Sequence, residues 1–237
     1  AVLSAAASAG VAGARTRAAE QATSATYDLV LRNGRVVDGA GTPWFRADIG
    51  VKDGRISKIG RVAEGNAVRV IDVDGLVVSP GFIDLHNHSD TSMFVDPWIE
   101  SKIRQGITTD VNGNCGGSPA PLNERTRARA ARRASEEDID WSTMAGYFDR
   151  LERHGIAQNM ATLVGHGTVR DYVMYGNHGA PTQEQLDEMK SLVREAMQAG
   201  AVGLSTGLAY SPGTYAHTDE VVELAKVAGE YGGIYAT

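Results

Sequence analysis

Short segments in which apolar and polar residues alternate fill the chain between residues 26 and 75. The five segments are 27–31, 34–38, 47–52, 55–59 and 68–72. A period of two is typical of strands that bury one face. Asn33-Gly34 and Asp53-Gly54 fall between segments and accept the positive φ of tight turns. The pattern therefore predicts a small antiparallel β unit over residues 26–75.

Beyond this unit the apolar segments lie further apart, and helical patterns separate them. Five of them are candidate strands: Leu76 to Asp84, Ile107 to Asn112, Asn159 to Val164, Ala201 to Ser205 and Gly233 to Thr237. Strands that alternate with helices are typical of βα units arranged around a parallel sheet. Residues 76–237 are therefore predicted to have an α/β fold.

Three helices are predicted between these strands. The clearest covers residues 182–199, where Thr182 can cap the first turn together with Gln185, and Gly200 suits the position after the helix. In each helix, apolar residues recur at the spacing that packs one face on a core. The other two carry Trp141, Met144, Phe148 and Leu151 before Gly155, and Val221, Val222 and Ala225 after Thr218.

Composition and charge limit the classes of function. Hydrophobic residues make up 42% of the chain and charged residues 22%, which is typical of a globular protein and not of a disordered one. The net charge is −6, whereas binding to a nucleic-acid backbone needs a concentrated basic surface. No segment approaches the roughly 20 consecutive apolar residues that cross a bilayer. We therefore expect neither nucleic acid nor a membrane as a partner.

Residues 1–25 are rich in Ala, Ser and Gly and contain few large apolar side chains. Such a segment buries too little apolar surface to order itself, so we predict a flexible leader. The segment resembles the mature start that remains after an export signal is removed, although no complete signal is present. Secretion is therefore the expected localisation, with the cytoplasm as the alternative.

Two histidines follow the first predicted strand of the α/β region. His86 and His88 come directly after the apolar segment Leu76 to Asp84. Residues two apart in an extended segment point the same way, so both imidazoles can face one metal ion. In βα barrels the functional groups gather at the carboxyl ends of the strands. His86 and His88 are therefore candidate metal ligands.

Cys115 is the only cysteine of the chain and follows the next predicted strand. The carboxyl ends of parallel strands share one edge, so its thiol is expected near both histidines. Glycines at 113, 116 and 117 leave the thiol uncovered, whereas an inert cysteine usually sits mid-strand among bulky residues. A thiolate is a good zinc ligand and carries a charge that neutral imidazoles lack. A nucleophilic role is the alternative, although the sequence identifies no histidine base beside it.

Four ordered motifs in the chain resemble those of a known family. They are Pro80-Gly81-Phe82-Ile83-Asp84-x-His86-x-His88, Gly106-Ile107-Thr108-Thr109 followed by Gly113-Asn114-Cys115-Gly116, Leu163 to Arg170, and Gly200 to Gly213. The first resembles the opening of the amidohydrolase superfamily. The other three resemble the N-acyl-D-amino-acid deacylases, or D-aminoacylases, within that superfamily. The resemblance extends from about residue 27 to the end of the chain.

The resemblance implies a partial fold. Residues 76–237 would form about strands 1 to 5 of a TIM-like (β/α)8 barrel, preceded by a small β-sandwich segment over residues 26–75. In the family, the equivalent of Tyr235-Ala236-Thr237 is followed by a zinc-binding histidine. Two such histidines, the catalytic aspartate and a substrate-binding arginine would lie outside this sequence, so this chain would contain no catalytic residue. Either a missing C-terminal segment or a second chain would complete the barrel.

The resemblance also implies a metal site. His86 and His88 would bind the more labile metal position. Cys115 would bind a tightly held zinc in place of the carboxylated lysine found elsewhere in the superfamily. The expected cofactor is thus one tightly bound zinc, with a second, weaker metal as an option. The residues expected to orient the ligands are Asp84, Asp90 and Asn114.

The implied reaction is zinc-dependent hydrolysis of N-acyl-D-amino acids, which gives a carboxylate and a free D-amino acid. Alternatives are an N-acyl-L-amino acid, a lysine side-chain amide or a cyclic amide as substrate, and a non-catalytic scaffold protein. His166 and Tyr210 fall at predicted strand ends or in the loops that follow them. They are candidate substrate contacts, with packing or loop stabilisation as the alternative role.

Overall fold

The computed structural model describes residues 25–130 and 139–237. The chain divides between Pro80 and Gly81 into two compact units, which we call the N-terminal unit and the barrel unit. The leader predicted over residues 1–25 lies, apart from Ala25, outside the described residues.

The N-terminal unit contains one five-stranded mixed sheet. Its strands are β1 Tyr27–Val36, β2 Phe45–Lys52, β3 Arg55–Gly60, β4 Ala67–Asp72 and β5 Val77–Val78. The path through the sheet is β3-β2-β1-β4, and β5 pairs with the last residues of β1. The β1–β2 and β2–β3 pairs are antiparallel, whereas β4 and β5 run parallel to β1.

This sheet differs from the predicted antiparallel unit and from the predicted β-sandwich. After β3 the chain crosses to the free edge of β1, where β4 pairs in parallel. Apolar alternation indicates which face of a strand is buried, but not which strand lies beside it. A sandwich also needs a second sheet packed on the first, and residues 25–80 supply one sheet.

The two predicted turns in this unit have different outcomes. Asp53 and Gly54 have φ of 50° and 71° and join β2 to β3 in a two-residue hairpin. Asn33 also has a positive φ, 65°, but β1 continues through it while its register with β2 shifts. The prediction of a turn at Asn33-Gly34 is therefore wrong, because a β-bulge accommodates the same backbone conformation within a strand.

The barrel unit contains a parallel half-barrel of five strands. They are β6 Phe82–Asp84, β7 Ile107–Asn112, β8 Asn159–Gly165, β9 Gly203–Ser205 and β10 Ile234–Ala236. The strands pair in chain order, and every pair is parallel. The prediction of an α/β fold with five parallel strands is confirmed.

The first predicted strand of this sheet, Leu76 to Asp84, is in fact divided between two sheets. β5 belongs to the N-terminal unit, and β6 begins the half-barrel. Pro80, between them, has no amide hydrogen to donate to a ladder. Gly81 lies so close to the next strand that a Cβ there would be 2.1 Å from Thr108 Oγ1. A continuous apolar segment therefore does not show where a chain leaves one sheet for another.

Helices connect the strands of the half-barrel. The predicted capping box of Thr182 and Gln185 is present, and Met189, Val193 and Met197 are buried, so the clearest helix prediction is confirmed. The helix predicted to carry Trp141 begins only at Met144, after Thr143 caps its first turn, so the inclusion of Trp141 is wrong. Trp141 is nevertheless buried, and its indole donates to the carbonyl of Pro119 at 3.0 Å. The helices are α1 Glu100–Ile103, α2 Glu124–Ala130, α3 Met144–His154, α4 His166–Met174, α5 Gln183–Gln198 and α6 Thr218–Glu230, with 3-10 turns at Ser92–Phe94 and Gly213–Tyr215. Within the described ranges, none of these helices has the length and apolar character needed to span a membrane.

The outer strands of the half-barrel, β6 and β10, each pair with one neighbour among the described residues. Phe82 and Ile83 on β6 are exposed, as are Ile234 and Tyr235 on β10. Unpaired backbone groups together with exposed apolar side chains favour the addition of further strands. Both edges are therefore suited to continue the sheet.

Candidate metal centre and cleft

His86, His88 and Cys115 lie together at the carboxyl ends of β6 and β7. One ligand atom from each lies within 4.8 Å of the other two, and His86 Nε2 is 3.2 Å from Cys115 Sγ. Zinc bonds to imidazole nitrogen and to thiolate are about 2.0–2.3 Å long, so donors around one tetrahedral zinc are roughly 3.3–3.8 Å apart. The spacing and chemistry of the three donors therefore fit a single zinc ion after small side-chain movements.

The loop that carries Cys115 depends on glycine. Cys115 has φ of 53°, and Gly113 and Gly116 on either side have φ of 75° and 73°. A Cβ at Gly207 would lie 2.1 Å from the carbonyl oxygen of Cys115, and a Cβ at Gly165 would lie 2.5 Å from that of Gly116. The loop backbone thus rests directly on the last residue of β8 and on a residue just after β9, where there is no room for a side chain.

The three residues expected to orient the ligands hold the backbone of the ligand loops. Asp84 Oδ1 accepts the His86 amide at 3.3 Å, and Asp90 Oδ1 accepts the Gly113 amide at 2.9 Å. Asn114 Nδ2 donates to the carbonyl of Val111 at 2.7 Å. These side chains therefore position the loops through their main chains, and their hydrogen bonds within the described residues do not include the imidazole nitrogens.

Two carboxyl groups near the ligands have shifted acidities. The hydrogen bond from Lys102 is the largest cause that lowers the pKa of Asp84. Burial raises the pKa of Asp90, although the hydrogen bond from the Gly113 amide opposes the increase. Lys102 was not predicted from the sequence as part of this site. Nothing in the local sequence around Lys102 indicates that its side chain contacts Asp84 and Asp110.

A cleft of about 600 Å³ opens beside the metal site within the barrel unit. His88 and Cys115 line it, so donors of the candidate site face the space that a substrate would enter. Its wall also includes the apolar side chains of Leu122, Ile139 and Trp141. These three residues are 3–6% exposed, so a ligand in this cleft would contact the metal site together with only the edges of these apolar side chains.

The two candidate substrate contacts occupy very different positions. Tyr210 lines the cleft and is 62% exposed, so its hydroxyl is accessible to a ligand. His166 is fully buried at the start of α4, and its Nε2 lies 2.8 Å from Glu220 Oε1. Contact with substrate stays a prediction for both residues, and the burial of His166 favours the alternative of loop stabilisation.

His166 belongs to a buried ionic network that the sequence did not reveal. Arg170, one turn further along α4, is fully buried and pairs with Glu220 Oε2. Arg170 also donates to the carbonyl of Gly179 at 2.6 Å. Glu220 lies in the first turn of α6. The network therefore connects α4 and α6, which are distant in the chain, on the side of the half-barrel that carries the cleft.

Glu220 is expected to stabilise the fold while it is ionised. Burial alone would raise its pKa, but the hydrogen bonds and charges of His166 and Arg170 outweigh this effect and lower the pKa of Glu220 below its ordinary 4.5. Such a group stabilises the folded state above its unfolded pKa and loses that contribution as the pH falls through the folded pKa. Glu220→Gln should therefore lower the free energy of unfolding by about 3 kcal/mol at neutral pH. The difference should shrink as the pH falls below 4.5.

Urea unfolding of the parent and the variant at a series of pH values between neutrality and pH ~3 tests this expectation. Glu223→Gln is a matched control on the same helix, because Glu223 also pairs with two cations, Lys190 and Lys226, but is partly exposed to solvent. Ion pairs that solvent can screen contribute less to stability than fully buried ones, so the control should lose less than Glu220→Gln. Equal losses in the two variants would show that the buried network has no special role.

Comparison with known proteins identifies the family. A model described as the amidohydrolase family matches residues 69–231, a range that includes all three candidate ligands. The chain belongs to the amidohydrolase family. A second model, the N-terminal domain of the urease alpha-subunit, matches residues 7–82.

Curated relatives narrow the resemblance to deacylases. The chain is 42% identical over 223 residues to a D-aminoacylase of Alcaligenes xylosoxydans xylosoxydans, covering 92% of this chain and 45% of that protein. It is 41% identical to an N-acyl-D-glutamate deacylase of the same organism, covering 89% of this chain and 43% of that protein. The resemblance to N-acyl-D-amino-acid deacylases predicted from the motifs is confirmed. The chain spans less than half the length of these relatives.

Solved structures of deacylases resemble this amidohydrolase chain in fold. A D-aminoacylase with a binuclear metal centre matches it with a TM-score of 0.82 at 38% identity, covering 89% of this chain and 45% of that one. An N-acyl-D-glutamate deacylase from Bordetella bronchiseptica matches with a TM-score of 0.79 at 39% identity, covering 89% and 44%. That structure is a complex with zinc and a phosphonate inhibitor that mimics the tetrahedral intermediate.

Proposed function

We propose that this protein hydrolyses the amide bond of N-acyl-D-amino acids with the help of zinc. The observation that carries the proposal is the group of His86, His88 and Cys115, whose donor atoms lie within 4.8 Å of one another. His88 and Cys115 also line the cleft. The names of the relatives supply the substrate class, since they are deacylases of N-acyl-D-amino acids.

The three donors differ in what they contribute. His86 and His88 are neutral ligands, while the Cys115 thiolate adds negative charge and binds zinc strongly. When bound there, zinc would polarise the acyl carbonyl and make hydroxide available near neutral pH. Zinc is proposed as the resident metal because a thiolate with two imidazoles is a donor set that selects it over Mg²⁺ or Ca²⁺.

The cleft would bind the rest of the substrate. The exposed Tyr210 hydroxyl is proposed to donate a hydrogen bond to a polar group of the substrate, and the apolar wall of Leu122, Ile139 and Trp141 would exclude water around an apolar group. Positioning of this kind lowers the entropic part of the barrier for the attacking water. The proton transfers are proposed to use an aspartate outside this chain.

The proposed activity requires more of the protein than this chain. In the part of the chain that the structure describes, the half-barrel has five strands and both outer strands have one unpaired edge. The deacylase relatives are more than twice as long as the region matched. We propose that either a further C-terminal segment or a second chain supplies the remaining strands, two histidine ligands, the aspartate and a substrate-binding arginine. The intact mass of the protein as its host makes it distinguishes one long chain from two associated chains.

Substrate profiling tests the proposed function. The protein as its host makes it should release amino acid from N-acetyl-D-amino acids at least on the order of 100-fold faster than from the L-enantiomers, because a fixed cleft discriminates strongly when polar groups are misplaced. Chelation should abolish the activity and added zinc should restore it. If the protein preferred L-enantiomers, Nε-acyl-lysine or a cyclic amide, the proposed substrate class would be wrong. If the zinc-loaded protein hydrolysed none of these compounds, a scaffold role would be indicated.

A further inference from the structure

Lys102 lies between the carboxylates of Asp84, the last residue of β6, and Asp110, which lies within β7. Its Nζ is 3.0 Å from Asp84 Oδ2 and 2.5 Å from Asp110 Oδ2. Asp84 and Asp110 are direct partners in the register of β6 and β7, so their negative charges lie side by side. The Lys102 side chain is 18% exposed and that of Asp110 is fully buried. The pair of Lys102 with Asp110 is therefore largely buried, while the Asp84 side chain is 27% exposed.

Both carboxylates also hold the segment that carries the two histidines. Asp84 Oδ1 accepts the backbone amide of His86 at 3.3 Å. Asp110 Oδ2 accepts the hydroxyl of Ser89 at 2.8 Å. The Ser89 hydroxyl is also 2.5 Å from Asn87 Oδ1, and Asn87 Nδ2 donates to a backbone carbonyl of β7. The segment from residue 84 to residue 89 is thus fixed at both ends by groups that Lys102 contacts.

The charge of Lys102 makes this arrangement possible. Two adjacent carboxylates, one of them fully buried, repel each other and are poorly solvated. Without the ammonium group, the two carboxylates would move apart. That movement would release a hydrogen bond to the histidine segment. The consequence would reach His86 and His88, although the hydrogen bonds of the Lys102 side chain among the described residues go to Asp84 and Asp110 and not to the imidazole rings.

We propose that Lys102 is a positioning residue of the metal centre, which bridges Asp84 and Asp110 so that His86 and His88 are held where one metal ion can bind both. This inference rests on the metal site in the proposed function. Lys102 does not touch substrate or metal in this role. It acts through the two carboxylates and the Ser89 hydroxyl.

The test measures the zinc affinity of the Lys102→Met variant by competition with a chromogenic chelator. The substitution is made in the full protein, in the form that its native host produces. The loss of a partner that orients metal ligands typically weakens binding 10–100-fold, and we expect a loss on the order of that size. Lys102→Arg should recover part of the affinity, because a guanidinium can also bridge two carboxylates. Lys190→Met is the matched control, since Lys190 pairs with Glu223 at 3.0 Å on the outer helices. The control should leave the affinity unchanged.

The spectrum of the cobalt-substituted protein separates a positioning role from a merely structural one. Lys102→Met should change the ligand-field and thiolate charge-transfer bands of Co²⁺, whereas a general loss of stability would not. If Lys102→Met does not fold, Ser89→Ala removes one connection of the same network, and it should produce a smaller change in the same direction.

Two results would overturn the inference in different ways. Unchanged zinc affinity and an unchanged cobalt spectrum in the folded variant would refute the positioning role and leave the proposed function intact. Failure of the unaltered protein to bind zinc or cobalt would refute the metal site itself, and the inference would fall with it.

Discussion

Cys115→Ala is expected to abolish binding of the proposed zinc and, with it, the proposed amide hydrolysis. Cys115 supplies the charged donor of the candidate site, and the other two donors that the described residues bring to it are imidazoles. The loss of affinity should exceed the roughly 10–100-fold that follows the loss of an outer hydrogen-bond partner. Alanine is a clean replacement, because it meets the same backbone restriction at φ of 53° as cysteine does. The variant thus tests the thiolate and not the loop conformation.

Metal content by elemental analysis and deacylase activity should be measured on the same preparation of the Cys115→Ala protein. His217→Ala is the control, since His217 is exposed at the start of α6 and makes no side-chain capping bond. It should keep both properties. A Cys115→Ala protein that retains zinc and full activity would refute the assignment of Cys115 as a ligand, and would direct attention to His86 and His88 alone.

The sequence predicted the half-barrel well because its pattern is strong and local. The five strands alternate with helices, and the cap formed by Thr182 and Gln185 depends on residues three apart. The same kind of local reasoning brought His86, His88 and Cys115 to one edge, since parallel strands share the end at which loops emerge. These features need no knowledge of which helix packs on which.

The features that the sequence did not predict depend on contacts between distant segments. β4 pairs with β1, and the segment Leu76 to Asp84 is divided between two sheets. Both features depend on which strands lie side by side, and apolar alternation does not encode this. The buried network of Glu220 with His166 joins residues 54 apart. A glutamate in the first turn of a helix is ordinarily explained by the helix dipole, so its buried partners left no local signal.

The second large effect is expected from Gly207→Ala, a change in a residue that is not a ligand. A Cβ at this position would lie 2.1 Å from the carbonyl oxygen of Cys115, 2.6 Å from its carbonyl carbon and 2.9 Å from Tyr210 Cδ2. Two of the three are backbone atoms, so a change of rotamer cannot relieve the overlap. The Cys115 loop would have to move away from β9.

Movement of this loop should weaken metal binding as well as stability. Overpacking in a close contact typically costs about 1–3 kcal/mol, and a shift of the main chain at Cys115 carries its thiol away from the imidazoles. Gly207→Ala should therefore lower both the melting temperature and the zinc affinity. Tyr210 lies against the same position, so the wall of the cleft should move with the loop.

Gly229→Ala is the matched control for this prediction. Gly229 lies within α6, where a Cβ would meet nothing within 4 Å. Alanine is favoured over glycine in a helix interior by about 0.5–1 kcal/mol, so the control should be slightly more stable than the parent and bind zinc equally well. Thermal unfolding in chelator and zinc competition on the three proteins give the comparison. If Gly207→Ala kept the parental zinc affinity, the Cys115 loop could move without disturbing the ligand, and the close packing of glycine backbones would have no part in holding the metal site together.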